Sequence, residues 1–138
     1  MKSKILVSLL VLATTTAYAE QNAVTIIVNS ENTMTQGMAM VLANKMVEQG
    51  ASLNILLCDK AGDLALKEDT GKSLKPMNAT PAQLLDSVIK KGGKAAVCAL
   101  YLPNSGNKLE SLKESIKPAA PDAMAKQMLD PTRKVIGF

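Results

Sequence analysis

Short apolar runs alternate with amphipathic stretches along this chain. Val24 to Val28 is β-branched and apolar, then gives way to polar Asn29-Ser30-Glu31-Asn32, which predicts a buried strand. Thr33 and Gln36 have the spacing of a capping box at a helix start. Met34, Met38, Val41, Leu42 and Met46 then recur at helical spacing and predict one buried stripe, widened by Met40, Ala43 and Val47. Gly50 reads as the C-cap. Leu53 to Cys58 predicts a second strand. A polar connection follows from Asp59 to Asn78, with a short helix expected around Leu64 to Leu66.

Thr80-Pro81-Ala82-Gln83 is a strong helix start, with a capping threonine, proline at the first helical position and glutamine three residues after the cap. Leu84, Leu85, Val88 and Ile89 form its stripe, and Gly92-Gly93 ends it. Ala95 to Tyr101 predicts a third strand, followed by a turn over Leu102 to Gly106. Leu109, Leu112 and Ile116 mark an amphipathic helix that Pro118 should break. Pro121 starts another helix, Asp130-Pro131 stops it, and Lys134 to Phe138 predicts the last strand. Continuous apolar strands alternating with helices argue for an α/β fold: a three-layer open sheet, mostly parallel and flavodoxin-like. In such sheets, sites lie beyond the carboxyl ends of the strands. Those ends offer Asn29 to Asn32, Cys58-Asp59 and Cys98 to Gly106, and within them Asn29, Asn32, Tyr101, Pro103 and Asn104 are candidate binding residues.

The amino terminus carries a different pattern. Lys2 and Lys4 precede an apolar run from Ile5 to Ala13, and Ala17-Tyr18-Ala19 supplies a small-x-small cleavage pattern. Residues 1–19 are thus expected to be a signal peptide, and 20–138 a single domain acting in the periplasm or secreted. The apolar run is about half of the ~20 residues a spanning helix needs, so no membrane association is expected after cleavage. Loss of Lys2 and Lys4 would lower the net charge from +4 to +2, an ordinary solvated surface that gives no support for nucleic-acid binding.

Composition narrows the chemistry. The chain has no histidine and no tryptophan, with one phenylalanine and two tyrosines among 138 residues. Imidazole acid–base chemistry, histidine metal sites and cysteine–histidine pairs are excluded, and aromatic platforms for bases nearly so. Gly71-Lys72-Ser73 resembles the end of a phosphate loop, but that motif needs glycine where Leu66 stands. Asn78-Ala79-Thr80 fits a glycosylation acceptor but overlaps the helix cap. Met34 and Met38 could hold a soft metal with the cysteines, yet core filling is the simpler reading, and the extra apolar width of their helix suggests a subunit interface. No metal site and no cofactor is assigned.

Cys98 is the sharpest candidate for chemistry. Its thiolate would be favoured by helix N-termini near Leu102 to Gly106; the competing reading is a small buried hydrophobe. Cys58 precedes Asp59, whose charge disfavours a thiolate, so a structural role is expected for it. A 2-1-3 strand order would separate the two by twice the ~4.8 Å strand spacing, beyond the ~7 Å reach of a disulfide, so two free thiols are expected.

Several of these segments together resemble the DsrE/DsrF-like family: Val24-Thr25-Ile26-Ile27-Val28-Asn29, the Met-rich helix, Leu56-Leu57-Cys58-Asp59, Pro121-Asp122-Ala123-Met124-Ala125, and above all Gly92-Gly93-Lys94-Ala95-Ala96-Val97-Cys98. The resemblance runs from about Ala23 to Phe138. It implies a flavodoxin-like fold, a homo-oligomer, and sulfur chemistry in which the cysteine matching Cys98 carries a persulfide, with a sulfur donor or acceptor protein as partner. It implies no role for Cys58. The expected export signal argues against the tRNA thiolation served by cytoplasmic relatives. A non-catalytic binding module and soft-metal (copper) handling are the alternatives, because a shared fold does not guarantee shared chemistry.

Overall fold

A computed structural model describes residues 22–68 and 70–138. The expected signal peptide lies outside the described residues. Five strands form one sheet: β1 (Ala23–Val28), β2 (Ser52–Leu57), β3 (Lys94–Val97), β4 (Lys117–Pro118) and β5 (Arg133–Gly137). Their order is β4-β3-β2-β1-β5, and every pairing is parallel. The helices are α1 (Thr33–Glu48), α2 (Pro81–Lys90), α3 (Tyr101–Ser105) and α4 (Pro121–Leu129), and 3-10 turns span Asp59–Ala65 and Leu109–Ser111. The fold is the expected α/β, flavodoxin-like layering. The strand order is not the expected 2-1-3: β2 lies between β1 and β3, so β2 and β3 are neighbours.

This order distributes the layers. From β1 to β4 each crossover steps the same way along the sheet, and the last jumps back past β1 to β5. Right-handed crossovers then put α1 and α2 on one face and α4 on the other. The α1/α2 face is the apolar core, built on Val24, Ile26, Val28, Leu53, Ile55, Leu57 and Val97, with Met40, Ala43, Leu85 and Val88 from the helices. The opposite face is polar where α4 meets it. Asn54 Nδ2 donates to Gln127 Oε1 (2.7 Å), Thr25 Oγ1 donates to the same oxygen (3.4 Å), and Arg133 Nη1 donates to the Val24 carbonyl (3.0 Å). No residue of α4 is buried.

The face that α1 buries differs from the expected stripe. Gln36, Gly37, Ala39, Met40, Ala43 and Asn44 are buried, whereas Met34 is 72% and Met38 55% exposed. The cause is close approach. Leu74 packs where a Cβ on Gly37 would sit, and buried Asn44 reaches across to α2, donating through Nδ2 to the Leu84 carbonyl (3.0 Å) while accepting from Lys91 Nζ (2.9 Å). Small side chains permit that approach, and the methionines turn outward. They are not core filling.

Local signals succeed where a side chain closes on its own backbone. Thr80 accepts from the Gln83 N–H (3.1 Å) and Gln83 Oε1 accepts from the Thr80 N–H (3.0 Å), the predicted capping box. At α1 the cap is Asn32, not Thr33: its Oδ1 accepts from the N–H groups of Met34 (3.0 Å) and Thr35 (3.1 Å). The helix expected over Leu109 to Ile116 is only a 3-10 turn. Leu112 and Ile116 are buried, and the chain then pairs as β4, where Pro118 is tolerated at the sheet edge.

Ile55, 2% exposed in β2, sits at the centre of the core. Ile55→Ala is expected to lower unfolding stability by about 2–5 kcal/mol in a urea titration. Leu129→Ala, on exposed α4, should stay within about 0.5 kcal/mol. Amide exchange should open α4 before β1 and β2, since α4 buries no side chain and is held by polar contacts.

Candidate functional site

Three parallel strands end at one edge of the sheet. β1 leads into Asn29, β2 into Cys58 and β3 into Cys98. β3 is shorter than expected, so Cys98 stands just past its end. The register pairs Leu57 with Val97, and the Cys98 N–H donates to the Leu57 carbonyl (2.8 Å). The ladder thus continues one step beyond the strands, and Cys58 and Cys98 face each other across it. Their separation by an intervening strand does not occur, because the strand between them was expected to be β1 and β1 lies outside the pair. Both cysteines are half-buried and both are free thiols.

The two cysteines share a cavity of about 920 Å³. Its first wall is the 3-10 turn after β2, with Asp59, Lys60 and Asp63, continued by Leu66 and Glu68. Asp59 makes the bend at positive φ (49°), a conformation that aspartate tolerates better than most residues. Ala61, Leu64 and Ala65 anchor this turn in the core, and it is tied to the segment before β4 by the Lys67 N–H to the Ser111 carbonyl (2.9 Å) and the Lys113 N–H to the Ala65 carbonyl (2.9 Å). The opposite wall is α3 and its flanks, with Leu100, Tyr101 and Asn104. Tyr101 joins the walls. Its hydroxyl donates to Asp63 Oδ1 (2.7 Å) and accepts from Asn107 Nδ2 (3.2 Å). Its ring lies against Gly62, where any Cβ would overlap it.

The electrostatics follow from this placement. The Cys58 thiol is pushed up from 9.0 to about 12, first by burial, then by its hydrogen bond with Cys98, then by the charges of Cys98 and Asp59. The expected effect of Asp59 is present but is the smallest cause. Tyr101 is held above its ordinary range by burial first and by the Asp63 carboxylate second. The helix dipole expected near Leu102 to Gly106 comes from α3, only five residues long, so few peptide dipoles align there. Its first N–H, on Tyr101, donates to the Cys98 carbonyl (3.0 Å).

The sequence-derived candidates divide in two. Cys98, Tyr101 and Asn104 line the cavity together. Pro103 is on α3, exposed and outside the lining; Asn29 is exposed beyond β1, its N–H donating to the Phe138 carbonyl (2.9 Å); and Asn32 spends its side chain on capping α1. Asp63 and Asn107 are the residues that sequence reasoning passed over, and Cys58, expected to be structural, lines the cavity with them. Cys58 carried a signal, a strand-end position equivalent to that of Cys98. Asp63 and Asn107 carried none, since only the fold brings them to Tyr101.

Solved structures share this fold. The YchN protein of E. coli superposes with a TM-score of 0.69 at 16% identity, covering 86% of this chain and 99% of its own. A protein of unknown function from Methanobacterium thermoautotrophicum gives 0.70 at 7% identity, covering 86% and 100%. A conserved protein of unknown function from Bacteroides thetaiotaomicron gives 0.62 at 16% identity, covering 85% and 95%. No family model and no curated protein matches the chain significantly. The likeness fits the flavodoxin-like, DsrE-type layering, and at these identities it shows the fold alone.

In pH-dependent alkylation read by peptide mass, Cys58 should ionise only near pH 12. Cys98→Ala should lower its midpoint by removing the hydrogen bond and charge, but not to the ordinary value, because burial remains. The folded state holds the Cys58 proton more tightly than the unfolded chain does. Its contribution to stability is therefore full below about pH 9 and lost on rising toward 12, and Cys58→Ala should flatten that part of a stability–pH curve.

Proposed function

We propose that this chain is an exported, DsrE-like sulfur carrier in which Cys98 holds sulfur as a persulfide. The observation that carries the reading is the half-exposed Cys98 thiol, just past the end of β3, opening into the cavity. In the proposed step the Cys98 thiolate attacks the outer sulfur of a donor R–S–SH. A Cys98 S–SH bond set forms, the donor S–S bond breaks, and RS⁻ leaves. Asp59, Asp63 and Glu68 against Lys60 make the lining net acidic. The amino-terminal pattern supports action outside the cytoplasm. A homo-oligomer belongs to the same reading, with exposed Met34, Met38 and Leu42 of α1 as apolar surface for a second copy.

A second reading is a non-catalytic small-ligand module. The cavity favours it, being within the ~300–1,000 Å³ typical of ligand pockets. Soft-metal handling loses its methionine donors, since no methionine lines the cavity among the described residues.

Incubation with glutathione persulfide followed by intact mass is expected to add one sulfur atom, at the earliest time points in the wild type and lastingly in Cys58→Ser, and none to Cys98→Ser. A gain that survives Cys98→Ser, or no gain in any variant, would end the carrier reading and leave the binding module.

A further inference from the structure

We infer that Cys58 is a resolving thiol for Cys98: it discharges sulfur bound there by closing a Cys58–Cys98 disulfide. The inference rests on the carrier reading for its substrate, but its geometry is independent. Adjacent parallel strands lie about 4.8 Å apart, and a disulfide accepts Cα separations of about 4.4–6.8 Å. Register Leu57 to Val97, extended by the bond from the Cys98 N–H to the Leu57 carbonyl, places Cys58 opposite Cys98. Because side chains alternate along strands, two residues opposite each other in register leave the sheet on the same side. Both then meet the same cavity, which supplies room for a donor and a path for what is released.

The step balances without an added oxidant. In contact, the Cys98 persulfide anion, Cys98–S–S⁻, takes the Cys58 proton to give Cys98–S–SH, whose inner sulfur is electrophilic. The Cys58 thiolate left behind attacks that sulfur, the S–S bond to the terminal sulfur breaks, and the terminal sulfur leaves as HS⁻. The two protein sulfurs are oxidised to a disulfide and the sulfane sulfur is reduced to sulfide. An external dithiol resets the pair by exchange, becoming a cyclic disulfide itself. The high proton affinity of Cys58 fits this order of events. It keeps Cys58 from competing for the donor, and leaves it to act on a sulfur already held in contact. The same reaction with a mixed disulfide at Cys98 expels a thiolate in place of sulfide.

The test uses reduced wild type, Cys58→Ser, Cys58→Ala and Cys98→Ser. Each is treated with glutathione persulfide and, separately, with oxidised glutathione. Sulfide release, intact mass and non-reducing peptide maps are read. Wild type should release sulfide and end two hydrogens lighter, with the Cys58 and Cys98 peptides linked. Both Cys58 variants should keep the added sulfur and release sulfide about tenfold more slowly or less. In the oxidised-glutathione arm, wild type should form the same link, while both Cys58 variants stall as a glutathione adduct on Cys98. If wild type and both Cys58 variants hold the sulfur equally long and no linked peptide forms, the inference is overturned and the carrier reading stands. If no variant takes up sulfur, the carrier reading fails. The oxidised-glutathione arm then decides alone: a Cys58–Cys98 link sustains the thiol pair, and its absence overturns it.

Discussion

Parallel pairing of β2 with β3 is the constraint on which the rest depends. It turns two cysteines 40 positions apart in sequence into neighbours across a ladder, at the edge where parallel α/β sheets place their sites. With β1 between them they would be two unrelated strand-end thiols. Side by side they form a coupled pair, in which an ionised Cys98 works against ionisation of Cys58 and burial adds to the effect. In a site without imidazole, Cys58 is thereby held in its protonated form.

The same strand order makes the sheet's two faces unequal. Three crossovers in one direction stack α1 and α2 over β1, β2 and β3, and that face holds the interlocked aliphatic core. The single reversed crossover leaves α4 to cover the other face, through Gln127 shared between Thr25 and Asn54. Hydrogen bonds of this kind add about 0.5–1.5 kcal/mol each, less than a large buried side chain. Rigidity therefore sits on the core face of the strands that lead to the thiol pair. The cavity walls borrow that rigidity, because Ala61, Leu64 and Ala65 enter the core and the Tyr101 ring seats on Gly62.

Much of this was legible from local pattern. The α/β alternation and the capping box of α2 each depend on a few consecutive residues, so the sequence carries them directly, whereas β3 ends before Cys98 instead of running to Tyr101. Strand order depends on which strands meet in space, and periodicity is silent about that; the expected separation of the cysteines failed for this reason. Size misled the reading of α1, where Met34 and Met38 look like core but the helix packs through Gly37, Ala39 and Ala43. β4 was hidden because two exposed residues, Lys117 and Pro118, have no pattern to show. Asp63 and Asn107 join Tyr101 only through the tertiary fold.

Fold and chemistry separate cleanly here. Solved proteins from a bacterium and an archaeon keep this layering at 16% and 7% identity, so the architecture tolerates wholesale replacement of side chains. What such a fold supplies is an edge where strands end and loops begin; the reaction depends on which groups stand there. In this chain they are two sulfurs, one of which, Cys58, is held protonated by burial, with three carboxylates, one lysine, and a tyrosine fastened to one of the carboxylates. The tyrosine, buried and bonded to Asp63, keeps its proton. On the carrier reading proposed above, the sulfurs are the groups that form and break bonds, and their proximity would favour exchange between them over exchange with a thiol from solution.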